Sequence, residues 1–192
     1  FFLAGLLTLY YSFQPDPPQS IADKIATELK EEMARSAKEI ATIQSAIDSP
    51  SVLPAASLCP FFIYDNDSLI YWSDNSYIPA PQSVGDTFQV KLLKTGSEAY
   101  LATKQVVPDG RYIISIILLY RDYPINNDYL TSEWNREIFP SGDIYILEPT
   151  AIGGVPVCVE NECLFRVSFV TGDLPSHAHA RTLAGVLISI SI

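Results

Sequence analysis

Two histidines, three cysteines and 22 carboxylates are the groups in this sequence that could hold a metal, attack a substrate or carry a proton. His177 and His179 are spaced so that both point to one side of a strand, with Asp173 close by. A metal site is one reading of them, and a polar collar shared with Arg181 is the other. Asp65 and Asp67 flank Asn66, where aspartate side chains bond the local backbone of a turn; calcium is the sharper alternative, without the spacing of a calcium loop to support it. The chain has no G-x-S-x-G elbow, no H-E-x-x-H pair and no phosphate-cradling glycine loop. Neither catalysis nor a cofactor is expected of it.

The string Cys158-Val-Glu-Asn-Glu-Cys163 lies in an apolar run that must reverse at its acidic centre. A turn at Glu160-Asn161 makes Val159 and Glu162 the closing pair and sets Cys158 directly opposite Cys163, within reach of a disulfide. The alternative is two small buried hydrophobes. Cys59 is left over and reads as core. A zinc site is poorly supported, since no second ligand pair lies nearby.

Aromatic and amide side chains form the remaining constellation. Tyr71, Trp72, Asp74 and Asn75 end one predicted strand, while Arg121, Tyr123, Asn126, Asn127, Tyr129 and Trp134 follow another. Tyr and Trp combine a flat apolar face with one hydrogen-bonding tip, which suits a small polar ligand. Tyr71, Trp72, Arg121, Tyr123, Asn127 and Tyr129 are the candidate binding residues; the competing reading is that aromatic strand ends finish a core.

The elements that must position these groups follow from periodicity. Gln14-Pro15-Asp16-Pro17-Pro18 is a stiff break, and a stalk helix is expected over 19–48, capped by Ser20 and stopped by Ser49-Pro50. Ala26, Met33, Ile40 and Ile47 fall seven apart beside Ala22, Leu29, Ser36 and Ile43, a near-heptad seam. That seam predicts a homodimer through the stalk helix, with its upper half also packed on the core; a helix packed only on its own core is the alternative.

From Leu58 the period becomes strand-like, and one main core spanning 58–172 is expected. Residues 60–64 and 68–72 read as a hairpin, and 87–93, 98–107 and 111–120 as an antiparallel meander turning at Pro108-Asp109-Gly110. Residues 123–139 read as one or two covering helices, and 143–147 and 155–170 as further strand.

Acidic residues outnumber basic ones 22 to 12, for a net charge of −10. Such a chain repels a phosphate backbone, so nucleic acid is not an expected partner. Mean hydropathy is nevertheless +0.17, because residues 1–13 (FFLAGLLTLYYSF) and 182–192 (TLAGVLISISI) contain no charge. As helices they would cover about 20 Å and 17 Å, short of a ~30 Å hydrocarbon core. They are read as the end of one transmembrane helix and the start of a second, each truncated. A signal-peptide core, or a buried helix and a buried strand, are the competing readings.

FFIYDNDSLIYWSDN (residues 61–75) and DGRYIISIILLYRDYPINNDYLTSEWN (residues 109–135) resemble the input regions of membrane sensor histidine kinases of Bacteroidetes-type bacteria. The matched features are Tyr71-Trp72-Ser73 and Tyr123, Asn127 and Tyr129-Leu130, over about residues 58–170 together with the two apolar flanks. A long helix followed by an antiparallel sheet with covering helices is also similar to Cache and PAS-like sensor folds. The resemblance implies an α+β extracytoplasmic domain at the inner membrane, a dimer that relays a small-molecule or envelope signal to a kinase core outside this sequence. A membrane-tethered interaction or scaffold module without a small ligand is the rival expectation.

Overall fold

A computed structural model describes residues 17–48, 53–54, 57–123, 125, 131–139 and 144–169. The chain divides into two compact units, one from residues 1–26 with 140–192 and one from residues 27–139. The span 58–172 expected to hold one core falls across both units, and each unit is described by itself.

Helix α1 spans Pro18–Ala46. It begins two residues before the expected Ser20 cap, because a proline in the first turn forfeits only an N–H that would have no helical partner. Ile21 N donates to Pro17 O at 3.2 Å. Within residues 27–139, Ile40 and Ile43 of α1 and Ile47 just past its end form one buried cluster with Leu53, Phe61, Ile63, Val107 and Ile113. Of the heptad seam, Leu29, Ser36, Ile40, Ile43 and Ile47 are buried and Met33 is half-buried. This length of the seam therefore serves the chain's own core, and a dimer made through α1 would have to use its other faces.

The larger unit is built on an antiparallel sheet of β1 (Phe61–Asp65), β2 (Ser68–Trp72), β3 (Val90–Lys94), β4 (Glu98–Val106) and β5 (Tyr112–Arg121). The order is β2-β1-β5-β4-β3, with β6 (Glu133–Trp134) pairing with the end of β5. The meander expected from periodicity is present as β3-β4-β5, and β5 joins it to the β1–β2 hairpin by pairing with β1. Residues 112–117 of β5 and 61–64 of β1 are all buried, which is the mark of strands covered on both faces, whereas β2 alternates exposed and half-buried side chains as an edge strand does.

Alternation along β1 separates the two faces. Phe61 and Ile63 join the α1 cluster, while Phe62 and Tyr64 join Tyr100, Tyr112, Ile114 and Ile116 on the opposite face. There a short helix, α2 (Pro81–Val84), contributes Val84, and Tyr77 and Phe88 pack alongside. The expected turns are present, with Asn66 at φ 52° and Gly110 at φ 94°.

One or two covering helices are expected over residues 123–139, of which 124 and 126–130 lie outside the described residues. Among the described residues of that segment no helix forms: β6 pairs Trp134 with Tyr120 and Glu133 with Arg121. The rings of Tyr120 and Trp134 sit 5.0 Å apart, and Asn135 Nδ2 donates to Leu118 O at 3.0 Å. A cross-strand aromatic pair outweighs the weak helical period of this segment.

In the other unit, β7 (Ile144–Leu147), β8 (Val155–Val159) and β9 (Glu162–Phe169) form a separate antiparallel sheet in the order β7-β9-β8. Ile144, Ile146, Val157, Leu164, Phe165 and Val167 are buried, as are Ile21, Ala22 and Ile25 in the α1 residues of this unit. Gly154 has φ 64°, and a Cβ there would lie 2.8 Å from Val167 O, so only glycine fits. Cys158 and Cys163 are opposite one another, Cα atoms 3.8 Å apart, and are joined as a disulfide. Among the described residues no helix is long and apolar enough to cross a membrane. The stretches 1–13 and 182–192, and His177 and His179, lie outside the described residues.

Candidate functional site

Tyr71 and Trp72 are neighbours on β2, so strand alternation sends them to opposite faces. Tyr71 is opposite Ile63, stacks on Phe61 at 5.5 Å and donates to Pro54 O at 3.3 Å, all on the α1 face. Trp72 is opposite Phe62 on the other face and is half exposed. The two cannot line one pocket. Asn127 and Tyr129 lie outside the described residues.

Arg121, in contrast, sits at the centre of a constellation on the face opposite α1. It ends β5 directly across from Glu98, which begins β4. Arg121 Nε donates to Glu98 Oε1 at 2.5 Å, and a terminal guanidinium nitrogen donates to Tyr100 Oη at 3.1 Å. Tyr100 Oη donates in turn to Glu98 Oε2 at 2.9 Å, closing a triangle. Tyr77 stacks on Tyr100 with ring centres 4.3 Å apart, and the guanidinium carbon lies 6.0 Å from the centre of the Tyr123 ring. Of the predicted residues, then, Arg121 and Tyr123 meet, and Glu98, Tyr100 and Tyr77 join them unforeseen.

The electrostatics follow from that closure. The Arg121 and Glu98 side chains keep only 18% and 17% of their surface in solvent. Burial works against the Arg121 charge, but the bonds to Tyr100 and Glu98 outweigh it and its pKa is raised. Burial pushes the Tyr100 hydroxyl up to about 12. Asp74 is held below the usual carboxylate range, chiefly by the Ser76 hydroxyl and backbone N–H, with a smaller contribution from the Arg121 charge.

A one-residue irregularity between Ala99 and Tyr100 produces this site. Counted outward from the Val106–Tyr112 pair without it, Arg121 would stand opposite Ser97. Hairpin counting from Pro108-Asp109-Gly110 thus comes within one residue of the Glu98 pairing, and the bulge, which has no sequence signature here, supplies the rest.

A second polar group lies between α1 and the sheet. Ser36 Oγ and Ser115 Oγ, each 1% exposed, are 2.8 Å apart. Close by, Glu39 accepts the backbone N–H groups of Leu58 at 3.3 Å and Cys59 at 3.5 Å. Burial, and then the nearby Glu32 and Glu39 carboxylates, push the Cys59 thiol up to about 11. A neutral thiol is a poor nucleophile and a poor metal ligand. Among the described residues no group of three or more His, Cys, Asp or Glu side chains could hold a metal ion.

The arrangement brings together a guanidinium, a carboxylate and stacked phenols, groups that recognise small polar molecules, but the charged partners already satisfy each other. Comparison of the chain with protein-family models, curated proteins and solved structures finds no match.

Proposed function

We propose that this chain is the extracytoplasmic sensing region of a membrane-bound two-component histidine kinase, with a Cache/PAS-like domain at residues 27–139. The observation that carries the reading is the sheet order β2-β1-β5-β4-β3 with a long preceding helix laid on one face through Ile40 and Ile43. That layout supports a sensor because a signal felt by the sheet is delivered to one rigid rod. A ligand or envelope state need only favour one packing of that rod over another by a few kcal/mol. The two uncharged terminal stretches supply the membrane attachment in this reading, and a homodimer brings two such rods together.

Topology gives the direct experiment. Alkaline phosphatase fused after Phe169 is active only outside the cytoplasm, and β-galactosidase fused there only inside it. Active phosphatase with inactive galactosidase is the expected result. The reverse pattern removes the extracytoplasmic reading.

A further inference from the structure

Beside the buried stripe of α1 runs a second stripe, Met33, Ala37, Ala41 and Gln44, at helical spacing. It overhangs the outer part of β4, where Thr103 and Gln105 face α1, and together they enclose an open groove of about 370 Å³. The two alanines, with their short side chains, line the helix side of the groove. This volume falls in the range of small-molecule sites.

The lining is selective in its chemistry. In a chain of net charge −10 it contains no carboxylate. Its one ionisable residue, Lys104, turns its ammonium to the opposite face of the sheet, donating to Val84 O at 2.8 Å, Gly85 O at 3.2 Å and Asp86 O at 2.8 Å. What remains is thioether, methyl and methylene surface with two carboxamides and a hydroxyl. That hydroxyl, Thr103 Oγ1, is buried and has no hydrogen-bond partner among the described residues. An unpaired buried hydroxyl costs folding free energy, and a ligand that reaches it as α1 gives way slightly restores the missing bond.

We infer that the groove between α1 and β4 binds a small uncharged molecule with an apolar body and one amide- or alcohol-like group. The body lies against Met33, Ala37 and Ala41, and the polar group meets Thr103 and the carboxamides of Gln44 and Gln105. A charged ligand is disfavoured, because no side chain there offsets its desolvation. The inference stands independently of whether the chain signals, since binding is measured on the chain itself.

The test is a proton–nitrogen NMR titration of the chain with benzamide, and with benzoate and benzylamine as charged analogues of the same shape. Benzamide is expected to shift the backbone amides of Ala37, Ala41, Thr103 and Gln105 with a dissociation constant in the millimolar range. Ala41→Trp, at an exposed helix position, fills the groove and weakens binding about tenfold or more, while Thr103→Val weakens it about fivefold with no loss of thermal stability. Dispersed spectra of both variants confirm folding. Equal shifts by all three probes, shifts elsewhere only, or unchanged affinity in both variants overturn the inference. So do shifts of these amides on dilution without any probe, which would make a second copy of the chain the occupant.

Discussion

Arg121, Glu98 and Tyr100 satisfy one another, and the consequence of removing one member depends on what is left behind. Glu98→Gln leaves a largely buried guanidinium without its counter-charge, which is expected to cost about 2 kcal/mol, below the figure for a fully enclosed pair because some solvent reaches the site. Adding Arg121→Met should recover more than half of that loss in urea denaturation; additive losses would mean that the pair is not coupled. The Ser36–Ser115 bond obeys the same logic. Either serine replaced alone by alanine strands a buried hydroxyl and should cost about 1–3 kcal/mol, while the double replacement costs less than the two singles added. Cys59 carries a pH signature. Its thiol ionises near its ordinary value of 9.0 when unfolded but only at about 11 when folded. The stability held by the neutral thiol is intact below pH 9 and is lost as the pH rises from 9 to 11, because the unfolded chain releases its proton first. Denaturation midpoints should fall across that window, and Cys59→Ala should flatten the fall.

At the scale of elements, the β8–β9 hairpin is closed by a disulfide spanning six residues, and Cys158→Ser with Cys163→Ser should destabilise its sheet by about 2 kcal/mol on loop-closure grounds. Faster hydrogen exchange of the Val157 and Phe165 amides in the double variant would register that loss; unchanged protection would show that the hairpin closes without the bridge. This hairpin is legible in the amino-acid sequence alone, because the acidic turn residues fix the register and the register fixes which cysteine faces which. The strands are legible for a similar reason: FFIY and YIISII are apolar without alternation, the pattern of a sheet centre, and Asn66 and Gly110 sit at turns that need their backbone freedom. What periodicity does not convey is order and partner. Nothing local tells β5 to lie beside β1, and nothing local announces the bulge that sets Arg121 against Glu98. The same limit applies to α1. A heptad seam looks identical whether it meets a second helix or the chain's own sheet, and Ile40, Ile43 and Ile47 meet the sheet.

For the whole molecule, the proposed sensor role requires that the packing of α1 on the sheet of residues 27–139 set an output across a membrane. Ser36 and Ser115 stand where that packing can be fixed, since their Oγ atoms are 2.8 Å apart and a cysteine at each position would place two sulfurs within bonding reach. The decisive measurement places the chain as the input region of a membrane histidine kinase, with Cys59, Cys158 and Cys163 replaced by serine and with Ser36→Cys and Ser115→Cys introduced. Autophosphorylation is then read in vesicles before and after oxidation of the new pair. Locking α1 to the sheet is predicted to change autophosphorylation at least about threefold, reversibly on reduction, because a lock that favours one packing shifts the two-state population. Equal autophosphorylation in the locked and reduced forms, with the crosslink verified, would show that α1 packing does not set the output.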